Sequence, residues 1–294
     1  MNIMKRVMII AIGFLSLVLC SCQKDTDEDL QCFDSNGASN ALFSIGYNKQ
    51  VRFSKGNLQY QASTRTWRFA EHQYDRIGED NSNISATYEG WIDLFGWGTS
   101  GWNSGATCYQ PWSNSTDYSD YLPGGSNASD LTGNYANADW GVYNAISNGG
   151  NRASIWRVLT KEEWNYLFFE RSGTYRWAKA KVNDICVVII FPDNFNKPSE
   201  ITIHDANNYD VMYRTNIYDN SQSTLLQNAG CILLPAEGYR YGLDADLVAM
   251  SAYWSSSKAG GNCAWTLDLF DKYVRMNSHD ISTGRYVRLV MDAE

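Results

Sequence analysis

The sequence predicts an α+β fold of antiparallel strands, few helices and long ordered loops. Short stretches that alternate apolar and polar residues recur along the chain with Gly, Asn and Asp between them, as antiparallel strands do. Only residues 161–171 show a strong helical period. Residues 78–151 lack a period but carry many large aromatics, which predicts ordered loops pinned by their rings and not a disordered linker.

The start of the chain predicts a lipoprotein signal peptide over residues 1–21, which stands outside the fold. Lys5 and Arg6 form a short positive region ahead of an apolar run that ends at Leu19. That run is shorter than the roughly 20 residues that a membrane-spanning helix needs. The segment is therefore predicted to be removed and not to span the membrane.

The lipid-carrying residue is predicted to be Cys22. Signal peptidase II recognises Leu three residues before the cysteine and a small residue directly before it, and Leu19 and Ser21 fit this pattern. Cys20 does not fit, because the bulky Leu19 would directly precede it. The expected partner is a membrane, reached through lipid on Cys22. The alternative is an ordinary signal peptide with accidental cysteines.

The residues after Cys22 predict where the anchor lies. Residues 23–29 form an acidic run that resembles the export signal by which Bacteroidetes lipoproteins reach the outer face of the outer membrane. The expected localisation is therefore the outer membrane, lipid-anchored, at the cell surface. Charge runs are also typical of solvated tethers, so residues 22–40 are predicted to be a flexible tether and residues 41–294 a single domain.

Charge excludes one class of partner. The chain has 24 basic and 32 acidic residues, a formal charge of −8. Removing residues 1–21 takes away Lys5 and Arg6 and leaves 22 basic residues, a charge of −10. A nucleic-acid partner is therefore not expected, because such proteins present a basic face.

Cysteine usage predicts no disulfide framework. Seven cysteines occur in the chain, and the five that follow Cys22 are far apart, so an odd number leaves at least one thiol free. Cys186 and Cys231 are predicted to be small buried residues in strands. A disulfide remains open in an exported protein, but the sequence selects no pair.

The first half of the folded region predicts paired short strands. Strands are predicted at residues 41–45 and 51–53, around an Asn-Lys turn. Residues 58–61 and 67–69 alternate apolar and polar residues around a turn-like segment, which indicates a β-hairpin. Residues 139–146 are predicted to form a short helix.

The clearest helix signal is a capping box. The Thr160 hydroxyl can accept from the backbone N–H of Glu163, whose side chain can reach back to Thr160. Trp164, Leu167 and Phe168 then share one helical face and are predicted to lie in the core. The helix is predicted to cover residues 161–171 and to stop at the following glycine.

The second half of the chain predicts further strands. Residues 185–191 form a continuous apolar run, as expected of a strand buried on both faces. Residues 201–203 and 231–235 are also predicted strands. The chain is predicted to close with an antiparallel meander whose four strands cover residues 253–257, 264–269, 273–276 and 286–290.

Several motifs carry a family resemblance over about residues 41–292. Residues 156–164, Trp-Arg-Val-Leu-Thr-Lys-Glu-Glu-Trp, are similar to a segment of formylglycine-generating-enzyme-like domains. Residues 253–257, Tyr-Trp-Ser-Ser-Ser, and 284–290 resemble the closing motif of the Fibrobacter succinogenes major paralogous domain group, common in Bacteroides lipoproteins. Residues 94–100 and 138–141 look typical of its Bacteroides members. The resemblance implies a C-type-lectin-like domain.

The resemblance does not extend to the enzyme's chemistry or to calcium-dependent sugar binding. The enzyme needs two closely placed cysteines for copper, whereas the C-terminal region of this chain offers only Cys263, with Cys231 far upstream. Lectins that bind sugar through calcium use Glu-Pro-Asn or Gln-Pro-Asp motifs. Residues 110–112, Gln-Pro-Trp, and residues 191–193, Phe-Pro-Asp, do not match them. His72, His204 and His279 are isolated, and no metal or cofactor is expected.

The aromatic-rich stretch is the expected binding surface. Flat rings stack on sugars, and Asn, Asp and Ser pair with hydroxyls. The candidate ligand-binding residues are Trp97, Trp102, Trp112, Trp265 and Arg275. The alternative is that these rings pack the loops against the sheet, and Trp254 and Trp265 are also expected to define the fold.

Lectin-like folds commonly expose their C-terminal segment as a binding face. The resemblance therefore implies a second set of candidate surface residues, namely Asn262, Trp265, Asp268, Lys272, Arg275, Asn277 and His279.

The sequence leaves three functions open. The first is a non-catalytic cell-surface module that binds a glycan or a protein. The second is a structural or assembly component of an envelope complex. The third is a hydrolase, which would need a carboxylate pair that the sequence does not select.

Overall fold

The computed structural model describes residues 32–125 and 129–293. The predicted signal peptide, Cys22 and the acidic run after it lie outside the described residues. The described part is a mixed α+β structure that is rich in antiparallel sheet and has few helices, as predicted. None of its helices combines the length and apolar composition needed to cross a membrane.

Strands outnumber helices along the described chain. The strands are β1 (Phe43–Gly46), β2 (Lys49–Phe53), β3 (Leu58–Gln61), β4 (Thr66–Phe69), β5 (Trp91–Ile92), β6 (Arg157–Val158), β7 (Trp177–Val182), β8 (Ile185–Ile190), β9 (Ile217–Tyr218), β10 (Ile232–Pro235), β11 (Tyr239–Tyr241), β12 (Asp244–Asp246), β13 (Met250–Lys258), β14 (Cys263–Phe270), β15 (Tyr273–Asp280) and β16 (Leu289–Asp292). The helices are α1 (Trp140–Tyr143), α2 (Lys161–Asn165), which continues as a π-helical turn (Tyr166–Glu170), and α3 (Asn220–Asn228). Short 3-10 helices cover Gly78–Asn83, Tyr118–Tyr121, Gly133–Ala138 and Tyr213–Thr215.

Hydrogen bonding divides these strands into several small sheets. Two sheets have four strands, in the orders β1-β2-β16-β6 and β10-β8-β7-β9. Two have three strands, in the orders β13-β14-β15 and β4-β3-β5, and β11 pairs with β12. Of these pairings only that of β7 with β9 is parallel.

The last strand does not belong to the closing meander. β13, β14 and β15 form the predicted antiparallel meander, but the prediction of a fourth strand over residues 286–290 is wrong. The segment that follows β15 meets β13 at an isolated bridge between Tyr286 and Tyr253, and β16 then begins at Leu289. It then lies between β2 and β6, pairing Val290 with Phe53 and Leu289 with Val158. The hydrogen-bond partners of β16 therefore come from β2 and β6, and not from the meander.

The N-terminal hairpins and the capped helix form as predicted. Thr160 Oγ1 accepts from the backbone N–H of Glu163 at 3.2 Å, and Glu163 Oε2 accepts from the N–H of Thr160 at 2.9 Å. Trp164, Leu167 and Phe168 are fully buried in the core between β1, β2, β8, β10 and β14. The capping box thus fixes both the start of α2 and the face that it buries.

Sequence patterns failed for residues 177–182 and 201–203. The prediction of a strand at Ile201–Ile203 is wrong, because the side chain of Asn216, and no neighbouring strand, pairs with the backbone of His204. Ile201 is nevertheless fully buried. Conversely, β7 was missed because Lys179 interrupts its apolar pattern. That lysine is fully buried, and its Nζ donates to three backbone carbonyls at 2.9–3.0 Å.

Part of the predicted tether is ordered. Residues 32–40 form a turn in which Asp34 Oδ1 accepts from the backbone N–H groups of Asn36 and Ala38. Ala38 is fully buried, and Arg52 of β2 pairs with Asp34 at 2.8 Å. The folded region therefore begins at least nine residues earlier than the predicted boundary at residue 41.

The aromatic-rich loops form a second core. Phe95, Trp97 and Trp140 are fully buried there together with residues of β3, β4 and β16. Close backbone approach is part of this packing: a Cβ at Gly141 would lie 2.6 Å from the carbonyl carbon of Trp156. The loops are ordered because their rings fill the space that aliphatic residues fill in a regular sheet.

Candidate functional site

A cleft of about 700 Å³ lies between the aromatic-rich loops and the turn that joins β13 to β14. Its lining residues come from both segments and are Tyr118, Ser119, Leu122, Gly125, Gly261 and Asn262. The volume is in the range of small-ligand sites, which is about 300–1,000 Å³. The cleft therefore joins the two regions in which the sequence predicted binding residues.

The first wall of the cleft is built on the short helix at Tyr118–Tyr121. Asp117 Oδ1 accepts from the backbone N–H of Ser119 at 2.9 Å and from its hydroxyl at 2.7 Å, which fixes the start of the helix. Tyr121 is buried, and its hydroxyl donates to the carbonyl of Ser115. Because Tyr121 holds the inner side, Tyr118 projects outward and is 44% exposed.

A glycine turn ends this wall. Gly124 has a φ of +77°, and a Cβ there would lie within 2.0 Å of the hydroxyl of Tyr135. Gly125, which lines the cleft, has a φ of +83°. Both the left-handed backbone and the close ring require glycine, so this wall has a defined shape.

The second wall is the turn before β14. Lys258 Nζ donates to the carbonyl oxygens of Gly261 and Cys263, which closes the turn. Asn262 Nδ2 donates to Asp280 Oδ2 at 2.8 Å, so the amide has a fixed orientation. The cleft thus presents a tyrosine ring and a leucine as apolar surface, and a hydroxyl and an amide as polar groups.

The predicted tryptophans do not meet in one site. Trp97 is fully buried, and its indole N–H donates to the carbonyl of Ser255 at 2.8 Å, so it has no surface to offer a ligand. Trp102 and Trp112 are half-buried against the second core. Trp112 also stacks on Tyr60, with ring centroids 6.0 Å apart. These rings pin loops, which was the alternative interpretation.

The two candidates in the meander lie on opposite faces of it. Arg275 of β15 is exposed and is the cross-strand partner of Asp268. Trp265 pairs with Ser278 and therefore faces the other side, since side chains alternate along a strand. There the Lys161 ammonium of α2 lies 4.2 Å from its ring centroid.

Of the C-terminal set, Asp268 is not a surface residue. It is fully buried and accepts from Thr266 Oγ1 at 2.9 Å, Asn277 Nδ2 at 2.8 Å and His279 Nε2 at 2.8 Å. Lys272 is exposed at the turn between β14 and β15. Asn262 is the one member of this set that lines the cleft.

Sequence reasoning missed the first wall of the cleft. Tyr118, Ser119 and Leu122 belong to the aromatic-rich stretch, but the residues predicted to bind within that stretch are tryptophans. A local signal was present, because Asp117 two residues before Ser119 is typical of a side-chain-capped turn. The turn was readable from the sequence, whereas the 44% exposure of Tyr118 within it is a result of the folded structure.

Two carboxylates have pKa values that burial raises, but both serve the fold. Burial raises the pKa of Asp93 and that of Asp139 to about 6. Asp139 accepts from the backbone N–H groups of Gly141 and Val158, at 2.9 and 2.8 Å. Asp93 accepts from the N–H of Ile77 and from the amide of Asn81. Neither carboxylate lines the cleft.

The cysteines add no cross-link within the described chain. The five cysteines that the structure covers, Cys32, Cys108, Cys186, Cys231 and Cys263, are all free. Burial raises the pKa of the Cys32 thiol to about 11, which disfavours the reactive thiolate. No group of side chains that could hold a metal ion occurs in residues 32–125 and 129–293.

Comparison with known proteins adds no family. No family model, no curated protein and no solved structure matches this chain.

Proposed function

We propose that the chain is a non-catalytic binding module whose cleft holds a glycan. The observation that carries the proposal is the cleft itself, whose lining combines Tyr118 and Leu122 from one segment with Asn262, held by Asp280, from the other. A sugar ring has an apolar face that suits the first wall and hydroxyls that suit an amide and the Ser119 hydroxyl.

We also propose the C-type-lectin-like fold and the Fibrobacter succinogenes major paralogous domain group for this chain. The support is the sequence motifs at residues 156–164, 253–257 and 284–290, together with the mixed, sheet-rich architecture. Binding by loops that a small sheet holds in place is consistent with that proposal.

The cellular address is proposed from the sequence alone. Leu19 and Ser21 make Cys22 the lipid-carrying residue, and the acidic run that follows favours the outer surface of the outer membrane. Cys22→Ala is expected to abolish labelling by radioactive palmitate, whereas Cys20→Ala is expected to retain it. Continued labelling of the Cys22 variant would contradict lipidation at this residue.

The glycan proposal is tested with the soluble chain that lacks residues 1–22. A glycan array identifies ligands, and calorimetry then measures their affinity for variants. Tyr118→Ala is expected to weaken binding at least tenfold, which is about 1.4 kcal/mol, and Asn262→Ala to weaken it as well. Tyr47→Ala is the matched control, because Tyr47 is a tyrosine 88% exposed on the turn between β1 and β2.

The outcomes separate the candidate functions. An absence of hits, or hits whose affinity neither cleft variant changes, would contradict the proposal. A structural role in an envelope complex is favoured by a different feature, the exposed apolar residues near β11 and β12. Tyr241, Leu243 and Met250 are apolar side chains that are 49%, 53% and 39% exposed, and apolar surface is typical of contacts between proteins. Crosslinking in cells to defined envelope partners would support that function.

A further inference from the structure

The segment that contains the first wall of the cleft is acidic and has no basic residue. Residues 77–151 contain eight Asp and Glu residues and no Lys, Arg or His. The 24 acidic residues outside this segment equal the 24 basic residues of the chain in number, so the whole formal charge of −8 comes from the segment. Asp93 and Asp139 are buried, and the other six acidic residues are at least partly exposed. The first wall therefore belongs to the part of the chain that carries the negative charge.

Two side chains that line the cleft, one on each wall, donate a hydrogen bond to a carboxylate. The Ser119 hydroxyl donates to Asp117 Oδ1 at 2.7 Å, and Asn262 Nδ2 donates to Asp280 Oδ2 at 2.8 Å. A hydroxyl has one hydrogen, so Ser119 Oγ can only accept from a ligand. Asn262 keeps one N–H and its Oδ1, whose contact with the Cys263 thiol is long, at 3.5 Å. Both walls therefore offer oxygen acceptors to a ligand.

Both carboxylates behind these side chains are held in place. The hydroxyl and the backbone N–H of Ser119 lower the pKa of Asp117, so this carboxylate is ionised at neutral pH. Asp280 Oδ1 accepts from the backbone N–H of Ser282 at 3.0 Å and from its hydroxyl at 2.8 Å. In the part of the chain that the structure describes, neither carboxylate takes part in a salt bridge.

One cation is bonded to the lining of the cleft, and its charge is already offset. Lys258 Nζ donates to the carbonyl oxygens of Gly261 and Cys263 on the second wall. Burial lowers the pKa of Lys258, and the charge of Asp280 opposes this change. The charges of Lys258 and Asp280 thus compensate each other, and Asp117 on the first wall leaves the balance negative.

We propose that the sugar held by the cleft is a basic amino sugar, which carries a free ammonium group, and not a neutral or acidic one. This inference rests on the proposed glycan function and names the class of sugar. An ammonium group has donors and no acceptor, so it suits Ser119 Oγ and Asn262 Oδ1. Its charge complements the first wall, and the face of the Tyr118 ring attracts a cation.

The test measures the affinity of the soluble chain that lacks residues 1–22 for three sugars by calorimetry. The probes are β-1,4-linked trimers of glucosamine, of N-acetylglucosamine and of glucose, which share a linkage and differ in charge. The glucosamine trimer is expected to bind about tenfold more tightly than the other two, a difference of about 1.4 kcal/mol. About 1 M NaCl is expected to remove most of this difference, because salt screens exposed charges.

Matched variants separate the cleft from the general acidity of the chain. Asp117→Asn removes the charge and keeps the cap, because asparagine caps helices as well as aspartate does. It is expected to weaken binding of the glucosamine trimer by about threefold, the size of an exposed ion pair. Asp184→Asn makes the same change at an exposed aspartate on the turn between β7 and β8 and should leave the affinity unchanged. Tyr118→Ala should weaken binding of the same trimer.

The outcomes distinguish this inference from the function on which it rests. Equal affinity for the glucosamine and N-acetylglucosamine trimers, or equal effects of Asp117→Asn and Asp184→Asn, would overturn the amino-sugar assignment. Array hits that lack an amine but depend on Tyr118 would overturn it too, while the glycan function of the cleft would stand. An array without hits contradicts that function itself. Trilysine that binds more tightly than the glucosamine trimer would replace the sugar with a basic peptide.

Discussion

Single buried polar residues position several segments of this chain. Lys179 shows this most clearly, because its ammonium donates to the carbonyls of Tyr209, Val211 and Asp271 and so ties two loops to β7. One side chain thus holds three backbone carbonyls from two separate parts of the chain. The residue that hid β7 from sequence reasoning is therefore the one that fixes its surroundings.

Lys179 also predicts a pH dependence. Burial lowers its pKa from 10.5 to about 8, although Asp271 and Asp210 oppose the change. Between pH 8 and 10.5 the unfolded chain therefore binds more protons at this site than the folded chain. The cost of burying the charge is present below pH 8 and is lost as the pH rises to 10.5.

The measurement compares the wild type with Lys179→Met by urea unfolding at pH 7.5, 9 and 10.5. The free energy of unfolding of the wild type, relative to the variant, is expected to rise by about 1–3 kcal/mol over this range, at 1.36 kcal/mol per pKa unit. The difference removes most of the contribution of other groups, such as Tyr213, whose pKa burial raises. A flat or falling difference would contradict the lowered pKa.

At the scale of elements, local signals succeeded where local chemistry decides the structure. The box of Thr160 and Glu163 predicted α2, and the apolar run at residues 185–191 predicted β8 with both faces buried. Local signals failed where a distant residue decides. Ile201–Ile203 has strand composition, but the backbone of His204 directly after it hydrogen-bonds to the side chain of Asn216. Only the folded structure brings His204 and Asn216 together.

The capping box gives a second prediction. Thr160→Ala removes the acceptor for the backbone N–H of Glu163 and should lower the free energy of unfolding by about 1 kcal/mol. Thr107→Ala, at an exposed loop position, is the control and should change it by less than about 0.5 kcal/mol. Chemical denaturation of both variants measures the difference, and equal stabilities would mean that the cap does not stabilise α2.

At the scale of the molecule, the cleft lay beyond sequence reasoning for a physical reason. Its walls come from Tyr118–Leu122 and from Gly261–Asn262, and no local pattern reports that these segments meet. The resemblance implies Asn262 as a surface residue, whereas the aromatic-rich stretch predicts binding by tryptophans and not by Tyr118. Ring size does not tell inside from outside, and Trp97 is buried while Tyr118 is exposed.

The central position of β16 gives the third prediction. Val290 pairs with Phe53 on one side and with Arg157 on the other, so its backbone lies within the sheet. Val290→Pro removes a donor and is expected to abolish cooperative unfolding, because proline is not tolerated in a central strand. Val290→Ala removes only side-chain contacts and should cost about 1–3 kcal/mol with the fold retained. Circular dichroism during heating distinguishes the two, and a folded proline variant would contradict the central pairing.

The same pairing has a consequence for folding. β2 and residues 289–292 are far apart in sequence, so one edge of β2 has no strand beside it until β16 pairs. Open edges attract strands of other chains, and incompletely folded chains aggregate through them. We therefore expect this protein to fold slowly, because the strands that close its first sheet are so distant in sequence.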